Sequence, residues 1–284
     1  LKSESDLVEL PPLREVIRTH NLRAEKSLGQ NFLLDQNITD KIVRLSGGMD
    51  GVHAVEIGPG PGGLTRAILG SSVAQLVAVE FDPRSVAALH DLIAVFGAEK
   101  FEILQADALE IDLCSLVPAP RAILSNLPYN ISTVLLLKWL EQIRADQNVY
   151  RFMSLMFQKE VADRILADSG SKTYGRLSVM VQWLCSVKRL FDLPPSAFTP
   201  PPKIKSSVLH FVPKDLGKAA PSFKTMEALL AAAFGQRRKM IRGSLSAYMA
   251  EIEQVGLDPT LRAEDVPVAD YVTLASAREA LSSR

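Results

Sequence analysis

AVEIGPGPGGLT, residues Ala54–Thr65, decides the fold. A short β-branched, apolar run ends at Ile57. A loop with glycine at 58, 60, 62 and 63 follows, and helix-forming residues resume at Leu64. Missing β-carbons let a ligand approach the backbone closely, and a helix start offers unpaired N–H groups. Glycine at 58, 60 and 63 satisfies G-x-G-x-x-G, a spacing that does not by itself separate a dinucleotide from other nucleoside cofactors. The next run ends in VAVEFD, which sets Glu80 at the end of a strand, 22 residues after Gly58. A carboxylate there accepts hydrogen bonds from both hydroxyls of a ribose. A third run ends in QADAL and brings Asp107 beside the same crevice, where it can accept from an exocyclic amine of an adenine.

Further from the loop, short apolar runs alternate with helix-length segments. The runs are His53–Ile57, Leu76–Glu80, Phe101–Leu104, Ala122–Ser125, Phe152–Phe157, Leu177–Leu184 and Ser207–Val212. Leu64–Leu69 and Pro83–Phe96 read as helices. Strand–helix alternation predicts an α/β domain with a parallel sheet covered on both faces. After Pro213 the pattern turns helical, in MEALLAAAF, MIRGSLSAYMAEI, LRAEDV and VTLASAREAL. A boundary is therefore expected near residue 213, with 1–213 as the cofactor-binding domain and 214–284 as a small helical domain.

The 284 residues are 47% hydrophobic and 23% charged, ordinary globular usage with enough apolar material for a sizeable core. No apolar run is long enough to span a bilayer, and LKSESDLVELPPL lacks the basic-then-apolar pattern of a secretory leader. A cytoplasmic protein without a membrane partner is expected. Cys114 and Cys185 are two lone thiols in apolar surroundings, and neither cysteines nor histidines are spaced for a metal. Net charge is 0, but between Lys203 and Arg242 nine basic residues face only Asp215 and Glu227, a local excess of seven. That local excess is the signal of an anionic partner.

The fourth strand runs into Asn126-Leu127-Pro128-Tyr129, the most specific stretch of the chain. Methylating the amino group of a purine requires a nitrogen whose lone pair is delocalised into the ring. Acceptors placed around its N–H groups favour rehybridisation towards a tetrahedral nitrogen. The Asn126 amide oxygen and a backbone carbonyl at Leu127 or Pro128 are such acceptors. Pro128 fixes its own φ and stiffens the turn, and Tyr129 offers a flat face for a splayed-out base. No strong base is needed, so catalysis rests on orientation and electrostatics.

Taken together, these segments resemble the bacterial 16S ribosomal RNA adenine N6,N6-dimethyltransferases. The likeness spans about Arg14 to Asp270. It is carried by SLGQNFLLD (27–35), VEIGPGPGGLT (55–65), VEFD (79–82), QADAL (105–109), SNLPYNIST (125–133), FQKEVADR (157–164), KTYGRLSV (172–179), PPSAFTPPPKIKSSV (194–208) and FGQRRKMIRGSL (234–245). The resemblance implies a Rossmann-like methyltransferase domain that uses S-adenosyl-L-methionine, followed by a helical domain that binds RNA. It implies that residues 14–40 cover the cofactor, with Gln30, Asn31 and Leu33 at the site. Gly58 and Gly60 would lie against the methionine part, Glu80 at the ribose, and Asp107 with Ala108 at the adenine. Asn126 would stand between cofactor and target amine, Tyr129 would stack the base, and Phe198 would form a second aromatic wall. A phenylalanine before a proline-rich loop is equally what a core anchor looks like. The substrate implied is 16S rRNA within the small ribosomal subunit, methylated at two adjacent adenosines of the 3′-terminal stem-loop, by a monomer.

Lys203 and Lys205 flank the expected target pocket. Arg237, Arg238, Lys239 and Arg242 are expected on one helix, with Arg238 and Arg242 sharing a face for phosphates. Three rivals remain open. A large-subunit enzyme of the antibiotic-resistance type would share the glycine loop and the Asn-x-Pro-Tyr element, but SAFTPPPK and FGQRRKMIR favour the small-subunit type. A non-catalytic assembly factor would not need Asn126 and Tyr129 intact. A dehydrogenase would need a proton-transfer arrangement that the sequence does not show.

Overall fold

The computed structural model describes residues 10–22, 30–217, 220–236 and 238–282. Its strands are β1 (Phe32–Leu33), β2 (His53–Ile57), β3 (Gln75–Glu80), β4 (Phe101–Gln105), β5 (Arg121–Ser125), β6 (Phe152–Gln158), β7 (Cys185–Leu193), β8 (Phe198–Thr199) and β9 (Ser206–Pro213). The helices are α1 (Leu13–Thr19), α2 (Gln36–Ser46), α3 (Gly63–Leu69), α4 (Pro83–Phe96), α5 (Leu113–Leu116), α6 (Ser132–Ala145), α7 (Lys159–Ile165), α8 (Arg176–Leu184), α9 (Phe223–Gly235), α10 (Ile241–Ser244), α11 (Met249–Val255) and α12 (Val268–Ser282).

Seven strands form one sheet in the order β4-β3-β2-β5-β6-β9-β7. β2 pairs in parallel with β3 and β5, β3 with β4, and β5 with β6. The chain thus runs outward from β2 to β4 and then returns to the far side of β2 at β5. The loops after β2 and β5 diverge there, which opens a crevice at the strands' C-terminal ends. The expected α/β, Rossmann-like architecture is what forms.

Alternation along the strands sets what each face meets. Ala54, Leu76, Ala78, Ala122 and Leu124 share a face and join Leu64, Ile68, Leu69, Leu89 and Leu92 from α3 and α4 in one buried cluster. Each fully buried leucine there contributes about 1.5–3 kcal/mol. Glu56 lies opposite Ala78 in the register, so Glu56 and Glu80 fall on that same face, one row apart. The opposite row, Val55, Ile57, Val77, Val79 and Ile123, is buried as well. Helix starts follow their caps: Asp35 accepts from the Asn37 N–H, Asp82 from the Arg84 N–H ahead of Pro83, and Ser222 from the Thr225 N–H.

By internal contacts the chain divides into two compact units. The first holds the described residues of Leu1–Leu136 with Val149–Gln158 and Arg189–His210. The second holds Leu137–Asn148, Lys159–Lys188 and the described residues of Phe211–Arg284. This differs from a single cut near residue 213, because middle segments also belong to the helical unit. That unit has its own core: Phe234 packs its ring against Tyr174 and Tyr271, whose hydroxyls donate to the Val266 and Ala263 carbonyls. Arg144 donates to the carbonyls of Ala220 and Pro221.

Three expectations are corrected. Leu177–Leu184, read as a strand, lies in α8, and the strand begins only at Cys185. Ser178, Val179, Met180, Val181, Trp183 and Leu184 are all buried, and a helix buried nearly all round has no apolar period to distinguish it from a buried strand. MIRGSLSAYMAEI is not continuous: α10 ends at Ser244, Leu245 leaves helical geometry, and a 3-10 turn over Ser246–Tyr248 precedes α11. The basic run is not on one helix either. α9 stops at Gly235, the Lys239 N–H turns back to the Gln236 carbonyl, and Met240 forms an isolated antiparallel bridge with Arg262. Arg238 therefore shares no helix face with Arg242, and Arg237 lies outside the described residues.

Candidate active site

The crevice at the β2/β5 switch is a cavity of the sheet-bearing unit. Gln30, Asn31, Phe32, Leu33, the loop from Gly58 to Pro61 with Gly63, Glu80, Phe81, Asp107, Ala108, Asn126, Pro128 and Ile131 are among its walls. The loop alternates its backbone: Gly58, Gly60 and Gly62 have φ of +64°, +56° and +89°, and prolines stand between them. Only glycine takes such φ values freely. A β-carbon on Gly60 would stand 3.0 Å from Cε1 of Phe32, and one on Gly63 only 2.5 Å from the Leu33 carbonyl oxygen. The glycines thus let β1 lie directly on the loop.

Three of the loop's donors are already used. The Gly58 N–H donates to the Val79 carbonyl, Gly62 to the Pro59 carbonyl, and Gly60 to Oε2 of Glu80 at 3.1 Å, while Pro59 and Pro61 have no N–H. Among the described residues the walls also hold Glu56, Glu80 and Asp107 and no lysine, arginine or histidine. Such a cavity repels a dinucleotide's phosphates and attracts a cation, which disfavours the dehydrogenase reading.

Glu80 is nearly buried. Its Oε1 accepts the Phe81 and Asp82 N–H groups at 2.8 and 2.9 Å. Burial raises its pKa despite these bonds, and its remaining lone pairs suit ribose hydroxyls. Asp107 uses one oxygen for the Leu109 N–H at 2.9 Å. Asp82, beside them, is held below its ordinary pKa by Arg84 and also hydrogen-bonds Gln30.

Ser125 ties the end of β5 to β2 through a 2.6 Å bond from its hydroxyl to the Ile57 carbonyl. The next residue, Asn126, donates from Nδ2 to the Asn31 backbone carbonyl at 3.1 Å. A carbonyl only accepts, so that contact fixes which end of the amide is nitrogen and leaves Oδ1 as an acceptor with no partner among the described residues.

Not every expected residue lines the cavity. Leu127 is buried and Tyr129 stands outside the walls, its hydroxyl 2.7 Å from Oγ of Ser206. Phe198 is 3% exposed, belongs to the core cluster, and pairs in β8 with Leu33 of β1. Its side chain packs in the core cluster beside the covering segment and is not among the residues lining the cavity. Lys203 and Lys205 are exposed in the loop before β9.

Two residues escaped the sequence reading. Glu56 is fully buried in the cavity wall, accepts from Oγ1 of Thr65 at 2.7 Å, and is pushed up to about 8 by burial and by Glu80. Its signal was a carboxylate on an inward-facing strand position. Phe81 is 61% exposed although apolar. Its ring borders the cavity and offers a face to a flat purine. Among the described residues no group of histidine, cysteine, aspartate or glutamate is placed to hold a metal, and no helix is long and apolar enough to cross a membrane.

Residues 21–279 match the family described as ribosomal RNA adenine dimethylase. The chain belongs to that family. The enzyme is 50% identical to the ribosomal RNA small subunit methyltransferase A of Rhodospirillum rubrum over 96% of this chain and 94% of the relative. It is 47% identical to the protein of that name from Jannaschia sp., over 95% and 94%. Among solved structures, a dimethyladenosine transferase from Plasmodium falciparum superposes with a TM-score of 0.73 at 23% identity, covering 84% of this chain and 94% of that one. The 23S rRNA methyltransferase ErmE gives 0.66 at 21%, covering 88% and 100%. At these identities the two structures speak for the fold alone. The enzyme's cofactor is S-adenosyl-L-methionine, a sulfonium cation with a ribose and an adenine. The cation-attracting cavity, the Glu80 carboxylate and the Asp107 strand end fit that molecule.

Proposed function

We propose that this enzyme dimethylates N6 of two adjacent adenosines in the 3′-terminal stem-loop of 16S rRNA within the small ribosomal subunit. The names of its close relatives, all small-subunit methyltransferases, support that target over large-subunit RNA. The orientation of Asn126 carries the catalytic reading. With one Nδ2 hydrogen donated to the Asn31 carbonyl, the amide is oriented, and Oδ1 can accept from the target N–H. An amide free to flip would spend part of its time presenting a donor to the target amine.

When bound, the cofactor supplies a methyl group already activated by its positive sulfur, so the protein needs no strong base. Gln30, Asn31 and Leu33 cover it, Gly58 and Gly60 admit it to the backbone, and Glu80, Asp107 and Ala108 hold its nucleoside. Asn126 Oδ1 and the Leu127 or Pro128 carbonyl draw the target N–H groups away from the ring plane, and Tyr129 stacks the extruded base. As the N6–methyl bond forms, the methyl–sulfur bond of the donor would break to give a neutral thioether, and the proton then leaves N6 for solvent. Lys203, Lys205, Arg238, Lys239 and Arg242, all exposed, contact phosphates of the folded particle, joined by Arg237. A monomer acting in the cytoplasm suits a particle larger than itself.

Asn126→Ala tests the assignment with undermethylated small subunits and radiolabelled cofactor, followed by nucleoside analysis. Methyl transfer should fall at least a hundredfold, on the order of the loss when an oriented polar group is removed, while cofactor affinity by calorimetry stays within a few-fold. Equal losses of both would remove Asn126 from catalysis. Label appearing in 23S rRNA instead would overturn the substrate.

A further inference from the structure

We propose that Ser206 is a positioning residue for the target base, acting through the hydroxyl of Tyr129; this rests on the reading of Tyr129 as the stacking platform. The Tyr129 ring is held at both ends. At its backbone, Pro128 restricts the turn and Oγ of Ser132 donates to the Tyr129 carbonyl at 3.1 Å. At its tip, the phenolic oxygen stands 2.7 Å from Oγ of Ser206. A ring fixed at one end swings about its side-chain torsions, and a base arriving on it must first stop that motion. A ring fixed at both ends presents its face in advance.

Ser206 is well placed for such a task. It opens β9, whose residues 206 to 211 are all buried, so the anchor belongs to the sheet and not to the preceding loop. It is itself fully buried, and Tyr129 is the partner its hydroxyl has. Its neighbour Ser207, on the opposite face of the strand, donates to Asp192. Two adjacent buried serines thus serve different ends: one ties β9 to β7, and the other reaches the Asn-Leu-Pro-Tyr turn. Burial raises the Tyr129 pKa, so the pair stays neutral and keeps a proton to share.

The test compares Ser206→Ala, Tyr129→Phe and their double variant, with Tyr129→Ala as a control, in steady-state methylation of undermethylated small subunits. Ser206→Ala and Tyr129→Phe should each lower kcat/KM for the particle about five- to tenfold, the scale of one net hydrogen bond. The double variant should be no worse than either single one, because both remove the same bond. Cofactor affinity should hold in all three. Multiplying losses in the double variant would overturn the inference. So would a Ser206→Ala loss accompanied by a matching fall in cofactor affinity, which is the mark of a merely structural serine. A normal Ser206→Ala beside an inactive Tyr129→Ala would overturn the Ser206 role and leave the platform intact. Full activity in Tyr129→Ala would overturn the platform itself. Should Ser206→Ala not fold, Tyr129→Phe reads the same bond from its other end.

Discussion

Replacing Glu56 by glutamine probes the electrostatics of the cavity directly. The folded carboxyl, pushed up to about 8 from an ordinary 4.5, keeps a proton that the unfolded chain gives up. A raised folded value stabilises fully below the unfolded pKa, and that stabilisation is lost as pH rises towards 8. The slope is about 1.4 kcal/mol per pH unit. Between about pH 5.5 and about pH 7.5 the cofactor-free enzyme should lose roughly 2–3 kcal/mol through this one group. Glutamine still accepts from Thr65 and cannot ionise, so Glu56→Gln should lose none of it. Glu80 is shifted in the same direction but titrates in both proteins, so the difference between them isolates Glu56. Urea unfolding followed by circular dichroism at the two pH values measures that difference, with the variant's advantage widening at the higher pH. A difference that stays constant with pH would refute the argument. Calorimetry gives a second readout: a cationic cofactor prefers the ionised carboxylate, so wild-type affinity should rise across this window more steeply than the variant's.

Gly63→Ala would put a β-carbon 2.5 Å from the Leu33 carbonyl, forcing β1 off the loop. It should cost about 1–3 kcal/mol of stability and weaken cofactor binding; unchanged melting and affinity would show that β1 yields freely. Glu80→Ala leaves the Gly60, Phe81 and Asp82 N–H groups without their acceptor and should weaken cofactor binding more than any other single change in the cavity; unaltered affinity by calorimetry would exclude the ribose contact. Changing Arg238, Lys239 and Arg242 together to alanine should lower the salt dependence of subunit binding by about two to three units of log–log slope; an unchanged slope would remove these residues from the RNA surface.

The sheet and the cofactor half of the site were legible because each rests on local chemistry. Glycines admit a backbone conformation or a close approach, and a strand-end carboxylate points where the register sends it. Gly58, Gly60, Glu80, Asp107 and Asn126 all meet at one cavity for that reason. What stayed hidden depends on partners distant in sequence. Nothing near Phe198 shows that Leu33 lies beside it, and nothing near Tyr129 shows that Ser206 holds its hydroxyl. Glu56 was hidden because a carboxylate amid apolar residues looks like a strand-end charge until burial on both sides is known. α8 was misread because burial on nearly every side hides the period that separates helix from strand. The basic run lost its helix to a stop at Gly235 and a pairing with Arg262 that no local signal announces.

The helical unit gathers segments synthesised far apart. Arg144 reaches acceptors 76 and 77 residues later in the chain, and Tyr174 leaves the translating ribosome well before Phe234 and Tyr271 exist to cover it. At elongation rates of roughly 5–20 residues per second, that unit waits on the order of ten seconds with its aromatic side chains bare. Strands β2 to β5, contiguous in sequence, can pair long before. The nascent protein is thus most open to chaperones in its middle third, and a stall late in translation would strand the helices while sparing the crevice.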